Sequence, residues 1–220
     1  MKEDIAIIDN FRDLSIGDYQ EITRIYQDQS LDEMDQKVKV ISILTGKSED
    51  YLLNDILITE FKDLARKAEF VKHGQEEMEK MTARVADSYI IGGFELIPVK
   101  DIRKVNTAQY IDYQSFHQAG LEDHFVEILS CLLVPKGMKY NQDYDVLEVQ
   151  KAIREEMNVV DAVSLYAFFL LSCRDSIKDT LIYSRQEAMK IKERTRREQI
   201  LEQIKIQETL LMTNGDGSPR

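Results

Sequence analysis

Hydrophobic and polar residues recur along most of this chain at helical spacing. Ile16, Tyr19, Ile22, Ile25 and Tyr26 follow Ser15, a natural N-cap with Asp18 three residues on as a capping-box partner, and predict a helix over about 16–29. Before it, Ile5, Ile7 and Ile8 among acidic residues predict a short strand or an extended lead-in. Asp32 caps a second helix with Met34, Val38, Ile41 and Leu44 on its inner face and Gly46 as its stop. Ser48 caps a short turn carrying Tyr51, Leu52 and Leu53. Thr59 caps a further helix, with Phe61, Leu64, Ala65 and Ala68 inward, that fades near Gly74. Residues 75–87 are charged and carry Met78 and Met81.

The period then changes. Tyr89, Ile90 and Ile91 run into Gly92-Gly93, and Phe94, Leu96 and Ile97 run out. This predicts a β-hairpin whose glycines supply the positive φ angles of a tight turn. Helical spacing resumes at Asn106, which caps a helix over 107–118 through Gln109, with Tyr110, Tyr113 and Phe116 as its stripe. Glu122 to Val134 reads as the next helix, closed by Pro135-Lys-Gly137. Asp145 caps a helix over 146–157 with Val146, Val149 and Ile153 inward. From Val159 a last helical pattern, free of proline and glycine, continues to about Met212, and 214–220 reads as a disordered tail.

The segments on either side of the hairpin resemble each other. Leu14-Ser-Ile-Gly-Asp-Tyr19 aligns with Val105-Asn-Thr-Ala-Gln-Tyr110, cap on cap and tyrosine on tyrosine. Ile41 to Leu44 aligns with Leu129 to Leu132, and Ile58, Phe61 and Ala65 with Val146, Val149 and Ile153. The expected fold is mainly α: two related helical lobes joined by a central β-hairpin, with a long C-terminal helix. The divisions are an N-terminal lobe at 1–86, the hairpin at 87–100, a second lobe at 101–173, the long helix at 174–213 and the tail at 214–220. An isolated two-stranded ribbon is marginal in water, so the hairpin must pack on a lobe or pair with another chain.

Composition narrows the function classes. With 220 residues, 43% of them hydrophobic, the chain can bury one large core or two small ones. A net charge of −11 disfavours nucleic acid and anionic membranes. The first residues, Met1-Lys-Glu-Asp-Ile, lack the apolar run of a signal peptide. The most apolar run, Val159 to Cys173, carries Asp161 and falls short of the ~20 residues a membrane span needs. Cys131 and Cys173, both in apolar helical stretches, read as buried free thiols.

Catalytic and cofactor patterns fail on inspection. Thr45-Gly46-Lys47-Ser48 resembles the end of a phosphate-binding loop, but Ile41 stands where that motif needs glycine. His73, His117 and His124 make no metal-ligand spacing with either cysteine. Adjacent pairs such as Glu155-Glu156 point to different faces of a helix. No catalytic residue, cofactor or metal ligand is expected, and the chain reads as a non-enzyme.

The C-terminal helix mixes Arg194, Arg196 and Arg197 with Glu193 and Glu198 in ion-pair spacing, over an incomplete apolar stripe that includes Ile200 and Ile204. It reads as an exposed, ion-paired helix, a partner-binding helix, or a weak contact to nucleic acid. At 1.5 Å per residue it would reach roughly 75 Å, so a bend or a partner is expected.

Two stretches carry a family resemblance. One runs from Ile16-Gly-Asp-Tyr-Gln to Val40-Ile-Ser-Ile-Leu-Thr-Gly-Lys-Ser-Glu-Asp-Tyr51. The other runs from Asn106-Thr-Ala-Gln-Tyr-Ile-Asp112 through Leu133-Val-Pro-Lys136 to Asp161-Ala-Val-Ser-Leu-Tyr-Ala-Phe-Phe-Leu-Leu171. Together they resemble bacteriophage tail-assembly chaperone-like, or tail morphogenesis, proteins of gut (crAss-like) phages, over most of residues 14–172. The resemblance implies a small, acidic, helical binding protein of the host cytoplasm that holds other phage tail or virion proteins before assembly. The long basic C-terminal segment lies outside that pattern. It leaves open a structural part of the mature virion, at neck, portal or tail, inserting this helix between neighbours, and also a homo-oligomer. The expected partner-binding residues are Ile90, Phe94 and Leu96 on the hairpin, Met78 and Met81 before it, and Arg194, Arg197, Ile200 and Ile204 on the last helix.

Overall fold

A computed structural model describes residues 5–73, 85–101, 104–173 and 200–205. The chain forms two compact units, one of residues 1–99 and 105–167, the other of 100–104 and 168–220. Both helix groups and the sheet fall within the first unit, so its limits differ from the divisions drawn at 86 and 100.

Residues 5–14 form the extended lead-in, held where the Ile8 N–H donates to the Leu44 carbonyl at 2.9 Å. Phe11 and Leu14 are fully buried at its end. Helix α1 (Ile16–Gln27) starts at Ser15, whose hydroxyl accepts the Asp18 N–H at 3.0 Å. Helix α2 (Glu33–Thr45) starts at Asp32, which accepts from Met34 and Asp35, and ends at Gly46. Helix α3 (Glu49–Asn54) starts at Ser48. Helix α4 (Ile58–Lys67) is capped two residues before the expected Thr59, at Leu57. Leucine has no acceptor, so half of a capping box serves: the Glu60 carboxylate accepts the Leu57 N–H at 3.0 Å. A 3-10 segment (Ala68–His73) follows.

Strands β1 (Tyr89–Ile91) and β2 (Phe94–Pro98) form the hairpin. A third strand, β3 (Leu133–Pro135), pairs antiparallel with β2 and places it at the centre of a β1-β2-β3 sheet. Residues 133–134, expected at the end of a helix, are therefore strand. Between the hairpin and β3 run α5 (Thr107–Ala119) and α6 (Leu121–Leu132). Asn106 caps α5 through the Gln109 N–H, as expected. The buried stripe of α5 differs: Gln109 and Tyr113 point inward, while Tyr110 is 44% exposed. Buried Gln109 is tolerated because its Nε2 donates to the Cys131 carbonyl at 2.6 Å.

Helix α7 (Val146–Glu156) and helical residues 159–167 complete the first unit. Asn158 caps the latter, accepting the Asp161 N–H at 2.9 Å and donating to its carboxylate at 2.7 Å. The segment between them is stitched to the start of α1. The Ile16 N–H donates to the Met157 carbonyl at 2.8 Å, and the Val159 N–H to that of Leu14 at 3.0 Å. Val159 and Val160 enter the same core cluster as Phe11, Ile22, Ile41 and Leu44. Gly17 lets this joint close: a Cβ there would stand 2.6 Å from the Arg154 carbonyl oxygen.

In the second unit, residues 168–173 and 200–205 are helical, with Ile204 buried and Cys173 half-buried. The expected long helix and tail lie mostly outside the described residues. Among the described residues, no helix is long and apolar enough to cross a membrane.

Candidate functional site

The hairpin presents one strand edge. Among the described residues β1 pairs with β2 alone, in the register Tyr89 to Leu96, Ile90 to Glu95 and Ile91 to Phe94. With a two-residue loop, the pair beside the turn exchanges hydrogen bonds and the next pair does not. The N–H and C=O of Ile90 therefore point out of the hairpin, and no described residue takes them. Its side chain is 75% exposed, whereas Tyr89 and Ile91 are buried. An apolar side chain thus sits beside main-chain groups that no described residue pairs, the combination that accepts an added strand.

The edge is short and its far end is occupied. The Gly92 N–H donates to the Glu156 carboxylate at 2.7 Å. Gly92 has φ +55, and a Cβ on it would stand 2.4 Å from the Ala152 Cβ. The turn is thereby seated on α7. On the outward face Glu95 lies opposite Ile90 and pairs with Lys136 of the β3 end at 2.9 Å.

The expected binding residues separate sharply. Ile90 is outward. Leu96 is fully buried and Phe94 half-buried, because their register partners Tyr89 and Ile91 lie on the inner face. Leu96 is a core residue and not a docking group; side chains alternate along a strand, so Ile90 and Leu96 cannot share a face in this pairing. Ile200 is half-buried and Ile204 buried. Met78, Met81, Arg194 and Arg197 lie outside the described residues.

Behind the sheet is a polar network that sequence reading missed. The Tyr140 hydroxyl donates to Asp112 Oδ2 at 3.0 Å and lies 3.3 Å from Cys131 Sγ. Its one proton goes to the carboxylate, so the thiol must donate to the tyrosine oxygen. Burial pushes the Cys131 thiol up to about 11 and the Tyr144 hydroxyl to about 12, and raises Tyr140 as well. Cys131 is a neutral thiol at pH 7 and a poor nucleophile. His117 and His124 lie against aromatic rings, 5.8 Å from Tyr113 and 5.7 Å from Phe116 between centroids. Among the described residues, no cluster of histidine, cysteine and carboxylates could hold a metal ion.

An open groove of about 490 Å³ runs along α1, between Tyr19 and Thr23 on one side and Leu121, Phe125 and Tyr166 on the other. Arg24 and Asp123 span it at 3.9 Å. No family model, curated protein or solved structure matches this chain.

Proposed function

We propose that this chain is a non-enzymatic phage morphogenesis protein, a tail-assembly chaperone-like binding protein that holds other tail components in the host cytoplasm until assembly. The observation that carries the binding role is the β1 edge, where exposed Ile90 adjoins its own N–H and C=O, which no described residue pairs. A client strand laid there gains main-chain hydrogen bonds and covers an apolar side chain. The shortness of the edge fits transient holding, since few hydrogen bonds form and each contributes about 0.5–1.5 kcal/mol net. The phage assignment rests on the sequence resemblance over residues 14–172. The two helical lobes are read as copies of one unit, supported by Ser15 and Asn106, each of which accepts the N–H of the residue three positions on.

The alternative is a structural part of the virion that inserts its C-terminal helix between neighbours. It is motivated by the sequence of the long basic C-terminal segment and not by Ile200 and Ile204, which are half-buried and buried within the chain. Mass spectrometry of purified particles and of infected lysate separates the two. A holding chaperone is expected with tail proteins in the lysate and at trace level in particles. Stoichiometric copies in the particle would replace this reading with the structural one.

A further inference from the structure

The chain carries a net charge of −11, yet in one crevice of the first unit the cations outnumber the carboxylates. It lies between α2 and the α4–3-10 segment and holds about 220 Å³. Lys37 comes from α2, Lys62 and Arg66 stand one turn apart on α4, and Lys72 comes from the 3-10 segment. Two carboxylates, Glu33 and Glu69, stand against these four cations. Lys37 is committed to Glu33 at 2.7 Å. Arg66 meets Asp63 at 3.2 Å in a pair about 70% exposed on both sides, an arrangement too weak to hold the guanidinium in place. Lys62 and Lys72 make no ion pair with any described residue, and the Lys72 ammonium lies 5.8 Å from the centre of the Tyr26 ring.

Like charges gathered in a cleft repel one another, and low-dielectric walls concentrate their field. The field registers on Glu33, whose carboxyl lies below its usual range through the Lys37 hydrogen bond, then the charges of Lys37 and Lys72. The inner wall is apolar: Val40, Ile41 and Ala68 are buried there beside Tyr26. A crevice with exposed cations at the mouth and an apolar wall suits an anionic group on a small apolar body. It does not suit a long polyanion, which the surrounding negative charge would repel.

We propose that this crevice binds a small organic anion, its phosphate or carboxylate group held by Lys62, Arg66 and Lys72 and its aromatic or aliphatic body laid against the half-buried Tyr26 and Ala65. The site is separate from the sheet edge and stands or falls independently of the assembly role. The test is an amide NMR titration of the full chain with phenyl phosphate, phenylacetate or sodium chloride at matched ionic strength. Saturating shifts confined to residues 33–41 and 62–72 are expected with at least one of the two organic anions. Binding should weaken at least tenfold in K62Q/K72Q, whose fold is checked by thermal melting, and should be unchanged in K139Q. The anion that saturates at lower concentration identifies the preferred group, and equal saturation means that the site reads charge alone. Shifts that fail to saturate, match those of chloride, or persist unchanged in K62Q/K72Q would overturn the site. If K62Q/K72Q fails to fold, R66Q replaces it with the same expectations.

Discussion

At the scale of single residues, Gly92 and Gly93 look interchangeable in sequence and differ in structure. Both have positive φ, +55 and +79, but only Gly92 faces a neighbour, the Ala152 Cβ, while nothing stands within 4 Å of a Cβ on Gly93. Gly93→Asn should cost little, because asparagine tolerates the left-handed region. Gly92→Ala meets the left-handed cost of about 1–2 kcal/mol and a clash with α7 besides, so denaturant unfolding should show a loss of 2 kcal/mol or more. The glycine turn was legible from the Gly-Gly pair; its seat on α7 was not, since Ala152 lies sixty residues away. Cys131 gives a second residue-scale prediction. Its folded thiol, raised from 9.0 to about 11, keeps its proton over a range in which the unfolded chain loses it. The resulting stability is fully present below pH 9 and is lost as pH rises towards 11, at up to about 1.4 kcal/mol per pH unit. Cys131→Ala removes this component, so its stability should fall less steeply than that of the wild type between pH 9 and 11 in thermal melts. Cys131 also helps to raise Tyr140 and Tyr144, so its removal shifts their contributions in the same direction, towards a shallower loss.

At the scale of elements, the hairpin divides into a face that holds the fold and an edge that no described residue pairs. Leu96 at 0% exposure and Ile90 at 75% make this measurable. Leu96→Ala should cost about 2–5 kcal/mol through the cavity it leaves. Ile90→Asp should change stability by less than about 1 kcal/mol, as surface substitutions do, and should abolish client or self-association detected by co-purification. Global unfolding of Ile90→Asp would return Ile90 to the core. Helix starts were legible where a side chain could announce them, as at Ser15, Asp32, Ser48, Asn106 and Asp145. They were misplaced at α4, where Leu57 has no capping oxygen and Glu60 supplies the signal three residues later. Strand β3 was hidden for another reason. Leu132-Leu-Val-Pro continues the apolar run of α6, and periodicity cannot tell a helix end from a short strand whose only cause is a distant partner, β2. Ile90 as the outward residue was readable from strand parity, but only with the register in hand.

At the scale of the whole molecule, two related lobes imply parts that fold alone, whereas the core implies mutual dependence. The helices of residues 16–67 close their core with Val159 and Val160, and the lead-in to α1 exchanges main-chain hydrogen bonds with Met157 and Val159. Sequence similarity between halves says that the pieces are alike and nothing about which surfaces each leaves for the other. That information lies in pairs such as Gly17 and Arg154, whose closeness has no local signature. A chain cut after residue 86 would expose the side of the core that these two valines cover. Each buried aliphatic side chain contributes about 1.5–3 kcal/mol, against a typical domain stability of 5–15 kcal/mol. The 1–86 fragment is therefore expected to lack a cooperative thermal transition and dispersed amide signals, while the chain ending at 167 should keep both for the first unit. A cooperatively folded 1–86 fragment would show that the valines decorate a lobe that is already complete. The duplication would then describe two independent domains instead of two halves of one core.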